Sequence, residues 1–332
     1  MTSAGLDVVA IGDAIVDVIA TCDDSFIADR GLTKGSMRLL STGEADDLYA
    51  AMGPAREVSG GSAANSMAGL AALGLRAGFI GQVADDQLGE IFAHDMTSLG
   101  VTFATAPLTG GPPTGRCLIL VTPDAQRTMN TSPGASHELT PEALDEEQIR
   151  SASVTFLEGY LWGPERPRAA MLRAAEIARG AGRTVAFTLS ESLCIAGRRE
   201  GVMGMIDAGT VDILFANEDE VRHLTGRDDL DECLAELSVK IPTLVVTRGA
   251  AGALAVAGGE RVDVPAAPVA KVVDTTGAGD LFASGFLYGF TRGREMAYCA
   301  KLGALCAAEI ISHFGARPET KLADLAAKAG LA

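Results

Sequence analysis

The chain reads as short apolar runs alternating with stretches of helical period. Asp7-Val8-Val9-Ala10-Ile11-Gly12 is a nearly continuous apolar run, as expected of a buried parallel strand. Residues 13–20 follow at once with alternation. In that stretch Ile15 and Val18 are expected to face a core, while Asp13 and Asp17 need water or a partner. Residues 35–40 predict another short strand, and 54–59 a linking stretch. Gly60-Gly61-Ser62 opens a helix running to about Leu73, with Gly74 as its C-terminal cap. Residues 77–83 predict a strand, and Asp85-Asp86 starts a helix that ends near Leu99. Residues 114–121 and 127–131 predict a hairpin joined through Pro123-Asp124.

From residue 153 strand and helix take turns. Strands are predicted at 154–157, 184–189, 212–215 and 243–246, and helices at 166–180, 200–208 and 218–225. Residues 258–263 predict a hairpin turn and the strand after it. Beyond Asp280 the apolar positions Leu281, Phe282, Phe286, Leu287 and Phe290 have helical spacing. Residues 297–314 predict a last long helix. Strand–helix alternation on this scale implies an α/β architecture, a mostly parallel sheet covered on both faces.

The length of 332 residues suits one large α/β domain or two small ones, and no internal repeat or low-complexity linker divides the chain. The formal net charge of -16 speaks against non-specific binding to nucleic acid or an anionic membrane, because like charges repel. A nucleotide held by local donors or a metal stays compatible with it. Lys301, Glu309 and His313 interrupt the apolar tract 298–314, which makes it a buried helix rather than a membrane span. Six scattered cysteines (Cys22, Cys117, Cys194, Cys233, Cys299 and Cys306) form no Cys-x-x-Cys pair. They read as reduced thiols of a cytoplasmic protein. Asp7, Asp13 and Asp17 break up the first apolar residues, so no signal peptide is expected.

Candidate chemistry centres on Asp274-Thr275-Thr276-Gly277-Ala278-Gly279-Asp280. Gly277 and Gly279 flank one alanine, so a ligand can approach the bare backbone. The first N–H groups of the following helix lack partners within it, and its dipole favours an anion there, above all a phosphate. Asp280 reads either as an ordinary first-turn acid or as a general base beside that anion. Gly60-Gly61 reads either as a turn with Ser62 capping the helix or as a bare surface for a ligand. Asn217-Glu218-Asp219-Glu220 and Val246-Thr247-Arg248-Gly249-Ala250-Ala251-Gly252 follow predicted strands, at the edge where open α/β sheets bind ligands. For Asn217 the plain alternative is N-capping of the next helix.

The Asp274–Asp280 string with its apolar helix resembles the second signature of the ribokinase-like (PfkB) family of carbohydrate and nucleoside kinases. Gly60-Gly61-Ser62-Ala63-Ala64-Asn65 resembles the first. The resemblance runs from Gly12 to about Phe314. Neither a Walker phosphate loop nor a Rossmann glycine motif after the first strand is present. The resemblance implies a ribokinase-like three-layer α/β/α sandwich with a mostly parallel central sheet and a small β-sheet lid. It implies one domain over 1–332, with lid strands inserted at about 14–20, 35–41 and 112–131.

The same resemblance assigns roles. Asp280 would be the base, and the N–H groups of Gly277, Ala278 and Gly279 would stabilise the transferring phosphoryl group. Asp17, Gly60, Gly61 and Asn65 would hold the sugar, together with Asp280. Asn217, Thr247, Gly249, Gly252 and the lid residue Arg127 would serve ATP, although Arg127 also reads as a solvated hairpin arginine. The last long helix would flank the adenine. Glu220 would order Mg²⁺ through water, and Asp274 with Thr276 would take a monovalent cation, K⁺. The activity implied is ATP-dependent phosphorylation of the hydroxymethyl group of a ribose-containing nucleoside. Ser62, Thr188-Leu189-Ser190 and residues 211–218 lean to the adenosine kinase branch. A kinase of free ribose, fructose or 2-keto-3-deoxygluconate is the alternative, and a non-catalytic sensor is more remote. The expected partners are the small-molecule substrate and ATP, with the chain a monomer or a homodimer.

Overall fold

The computed structural model describes residues 5–192 and 197–331; Cys194 lies outside them. The first strand, β1 (Val8–Ile11), sits in the interior of a nine-stranded sheet, between β5 (Ala77–Ile80) and β9 (Val154–Glu158). Val8 pairs with Ala77 on one side and Val154 on the other, both in parallel. All four β1 residues are buried, and they divide between two cores. Val8 and Ala10 join Met67, Leu70 and Phe286 on one face. Val9 and Ile11 join Leu157, Trp162 and Ala174 on the other. A strand with two buried faces has no polar side to show, which is why its sequence is a continuous apolar run.

Beyond β5 lies β6 (Thr102–Phe103); beyond β9 come β10 (Thr184–Thr188), β11 (Ile213–Asn217) and β12 (Thr243–Thr247), all parallel. The antiparallel pair β13 (Ala253–Ala257) and β14 (Glu260–Val264) closes that edge. The helices Ser62–Ala72, Ala278–Thr291 and Met296–Ile310 pack on the first face. Those at Glu165–Gly180, Arg199–Asp207, Glu218–Thr225 and Leu230–Ser238 cover the second. The chain is therefore a three-layer α/β/α sandwich. The tract 298–314 contributes the buried helix Met296–Ile310, and no helix among the described residues is long and apolar enough to cross a membrane. Cys22, Cys117, Cys233, Cys299 and Cys306 are free thiols.

The second sheet has five strands in the order β3-β8-β7-β2-β4. These are β2 (Ile15–Thr21), β3 (Met37–Leu39), β4 (Arg56–Gly60), β7 (Gly115–Val121) and β8 (Arg127–Ser132). Three residues separate β1 from β2, so the centre of the main sheet feeds directly into this lid. One expectation is met and one needs correcting. Ile15 and Val18 are both buried in apolar clusters, but on opposite faces, because side chains alternate along a strand. Val16 and Val18 enter the main core, whereas Ile15 packs with Cys117 and Ile119 on the opposite face of the lid. Residues 54–59 are not merely a link. Arg56–Gly60 pairs antiparallel with β2, Asp17 opposite Val58. Its polar sequence hides it, since an edge strand is held by backbone pairing rather than by an apolar face.

Candidate active site

The two sheets enclose a cavity of about 950 Å³ at the carboxyl ends of the parallel strands. That is ample for a small ligand. Asp280 lines it, in the first turn of the Ala278–Thr291 helix. Gly277 caps that helix with φ +77°, a conformation that side chains resist, so the sharp turn into the helix calls for glycine. The Asp280 carboxylate is gripped from the neighbouring helix Ser62–Ala72. Its Oδ1 accepts from the Ser62 hydroxyl at 2.6 Å, and its Oδ2 from the Asn65 amide nitrogen at 2.9 Å. Ser284, one turn along, donates to the Ser66 carbonyl at 2.9 Å and locks the two helices together. Ser62 is thus no N-cap; Gly61 holds that position. Burial lifts the Asp280 pKa above the ordinary carboxylate value, while Ser62, Asn65 and Arg317 oppose the rise.

Asp17 projects from β2 into the same cavity. Burial pushes its pKa up to about 6, Arg317 and Arg127 draw it down, and the negative charge of Asp280 adds to the rise. A Cβ on Gly60 would stand 2.6 Å from the Asp17 carboxylate, so this glycine makes room for Asp17. Gly61 lines the cavity beside it at φ +92°. Two carboxylates that the sequence reading did not assign complete this end. Glu158 terminates β9, is wholly buried, and accepts from the Ala63 N–H at 2.7 Å. Asp13 lies beside it. Glu158 Oε1 and Asp13 Oδ1 are buried acceptors without a hydrogen-bond partner among the described residues. Burial raises both pKa values, Glu158 well above the usual range. One signal pointed to Glu158: a carboxylate ending an otherwise apolar parallel strand, at the edge where such sheets bind ligands.

At the other end Thr247, Asn217 and Glu220 line the wall with Thr276, Gly277, Ala278 and Gly279. Asn217 does cap its helix. Its Oδ1 accepts from the Glu220 N–H at 2.8 Å, and the Glu220 carboxylate accepts from both the backbone and the side-chain nitrogen of Asn217, each at 2.9 Å. Burial raises Glu220 to about 7, with Glu191 and Asp219 adding to the rise. No cluster of three or more metal-ligating side chains occurs among the described residues. Mg²⁺ fits this donor set all the same, because it keeps most of its waters and takes few protein carboxylates. Gly249 and Gly252 are not on the cavity wall. A Cβ on Gly252, at φ +91°, would overlap the Val264 carbonyl, so packing against β14 explains that glycine.

Arg127 is not a solvated hairpin residue. Its guanidinium forms a buried ion pair with Asp274 at 2.8 Å and donates to the Thr276 hydroxyl at 3.0 Å. Asp274 also accepts from the Thr276 N–H at 3.1 Å, the Thr276 hydroxyl at 2.7 Å and the Gly315 N–H at 3.0 Å. The carboxylate expected to hold a monovalent cation is therefore neutralised by a guanidinium. Ala278 N–H donates to the Thr275 carbonyl at 3.2 Å, so that one of the three expected loop donors is engaged within the turn.

The lid supplies an apolar ceiling. Ile15, Met37, Leu39, Ile119 and Met129 face the cavity, and Leu39 remains 65% exposed. Nothing in the sequence alone told which lid residues would turn inward.

Comparison with known proteins shows the family. Residues 6–322 match the family described as pfkB family carbohydrate kinase. The adenosine kinase from Sinorhizobium meliloti has a solved structure 49% identical to this chain, with a TM-score of 0.92, covering 98% of this chain and 100% of the other. The probable sugar kinase protein from Rhizobium etli is 46% identical, with a TM-score of 0.93 and coverage of 99% and 100%. A 5-dehydro-2-deoxygluconokinase of Shouchella clausii is 30% identical over 261 residues, 76% of this chain and 80% of its own. This chain belongs to the pfkB family of carbohydrate kinases, enzymes that use ATP to phosphorylate an alcohol group.

Proposed function

We propose that this kinase phosphorylates the hydroxymethyl group of a ribonucleoside, adenosine first among them. The observation that carries this reading is the apolar ceiling of the lid. Met37, Leu39, Ile119 and Met129 face a cavity whose floor is carboxylate-rich. A nucleoside has that polarity, an apolar base on one side and hydroxyls on the other. A free sugar has no apolar surface large enough to cover Leu39. The likeness to the Sinorhizobium meliloti adenosine kinase supports the same choice.

In this reading Asp17 accepts hydrogen bonds from the ribose hydroxyls, with Glu158 and Asp13 as further acceptors beside it. Asn65 and Ser62 hold the Asp280 carboxylate towards the acceptor hydroxyl. As that oxygen attacks the γ-phosphorus of ATP in line, Asp280 takes its proton. The bond to the β,γ-bridging oxygen breaks, and ADP leaves. The open backbone donors of the Gly277–Gly279 turn face the charge on the transferring group. Mg²⁺, held near Glu220 through water, would supply further positive charge to the phosphates. Thr247 and Asn217 border the nucleotide end.

A free-sugar kinase is the second reading, favoured by the two oxygens, Asp13 Oδ1 and Glu158 Oε1, that lack a hydrogen-bond partner among the described residues. The test is ATP consumption with Mg²⁺ and K⁺ against adenosine, other ribonucleosides, ribose, fructose and 2-keto-3-deoxygluconate. Turnover on adenosine with sugars inert is expected. Turnover on a free sugar alone would replace the nucleoside reading, and tight binding without turnover would favour a sensor.

A further inference from the structure

Arg317 lies in the loop beyond the Met296–Ile310 helix, outside every motif recognised in the sequence. The residue is half-buried, and its Nε is shut off from solvent. Nη1 donates to the Asn65 Oδ1, and Nη2 donates to the Ser59 carbonyl at 2.9 Å and the Ser59 hydroxyl at 3.1 Å. Ser59 is itself held, its N–H donating to Asp95 at 2.9 Å. A guanidinium has five N–H donors and no acceptor. Only the oxygen end of the Asn65 amide can face it, so the amino end is turned to Asp280. An ionised carboxylate accepts from Asn65 and Ser62 together. A protonated one loses acceptor capacity at the oxygen that carries the hydrogen.

We infer that Arg317 is a positioning residue for phosphoryl transfer: by fixing which end of the Asn65 amide faces Asp280, it holds Asp280 ready to accept a proton. The inference rests on Asp280 being the base. Without Arg317 the amide is free to turn. With Oδ1 towards Asp280, two acceptor oxygens meet, and the contact is favourable only when Asp280 carries a proton. A protonated Asp280 cannot take one from the substrate. The surrounding charges sharpen the dependence. Asp17 from β2 and Glu158 from the end of β9 both repel the Asp280 charge, and Arg317 attracts Asp17 and Asp280 alike. Arg127 acts on Asp17 from the lid, and Asp95 faces Arg317 from the Gln87–Ser98 helix.

The experiment is the pH profile of kcat/KM for the acceptor at saturating Mg²⁺ and ATP, with adenosine as acceptor, or ribose if adenosine is inert. Arg317→Met is expected to move the acid limb upward by about one pH unit and to lower turnover about tenfold on that limb, since hydrogen bonds to charged groups carry effects of that size. The KM for ATP stays as in the wild type. Arg317→Lys, which keeps a donor for Asn65, recovers part of the shift, and it carries the test if Arg317→Met does not fold. Adding Arg317→Met to Asn65→Ala causes a smaller shift than Arg317→Met alone, because no amide remains to be oriented and only the direct attraction of the Arg317 charge for Asp280 is lost. An unmoved limb, or losses that add in the double variant, would overturn the inference. Asp280→Asn separates the two levels. If it retains turnover, the base assignment itself fails. If it is inactive while the limb in Arg317→Met and Arg317→Lys stays put, only the role of Arg317 fails.

Discussion

The guanidinium of Arg127, on the lid, stands 2.8 Å from the carboxylate of Asp274, at the head of the loop that leads to Asp280. Gly315, two residues before Arg317, donates to the same carboxylate. One buried carboxylate thus joins the lid, the phosphate-facing loop and the C-terminal segment. Removing one partner leaves a buried charge uncompensated, at about 3–5 kcal/mol. Arg127→Met is expected to lose stability on that scale in urea titration, and adding Asp274→Asn restores part of it. Where a monovalent cation can take the place of the guanidinium, potassium chloride raises the melting temperature of Arg127→Met more than choline chloride does.

Replacing the base removes proton transfer while keeping the shape of the site. Asp280→Asn is expected to lower kcat by about 10²–10⁴-fold. Isothermal titration should find ATP and acceptor binding little changed. Near-normal turnover would remove Asp280 from the mechanism.

The acidic residues at both ends of the cavity make stability depend on pH. In the folded chain Glu220 is raised from 4.5 to about 7 and Asp17 from 3.8 to about 6. Between the unfolded and folded values the native state holds protons that the unfolded state has released. The contribution is therefore full below the unfolded values and is lost as pH rises through the folded ones. The melting temperature of the ligand-free protein should fall as pH rises from about 4 through about 7. Glu220→Gln should flatten the part of that fall near pH 7. A protein equally stable across the range would contradict the burial of these two groups as protonated acids.

The acidic and the apolar parts of the acceptor site should separate kinetically. Asp17→Ala is expected to raise the KM of the acceptor at least tenfold, the effect of a lost hydrogen bond to a charged group. Leu39→Asp, on the ceiling, should raise the KM of a nucleoside and leave that of a free sugar nearly unchanged. In both variants the KM for ATP serves as the internal control. Equal effects on ATP and acceptor would move either residue out of the acceptor site.

Much of this was legible along the chain. The run from Asp7 to Gly12 identified a strand buried on both faces, because two covered faces exclude polar side chains. The glycines around Ala278, followed by apolar residues at helical spacing, marked a loop entering a helix, because bare backbone and periodicity are local properties. The two signature strings carried the family, and with it the fold. What the sequence could not decide was who meets whom. The face of β2 that carries Asp17 depends on how β4 and β7 pair beside it, and the polar strand β4 exists only through that pairing. Glu158 and Asp13 come together because β9 lies next to β1. Arg127 finds Asp274 only because the lid lies over the loop, and Arg317 reaches Asn65 from the far end of the chain. Each is a contact between residues remote in sequence, chosen by packing and by the demand that buried polar groups find partners; no local pattern encodes it.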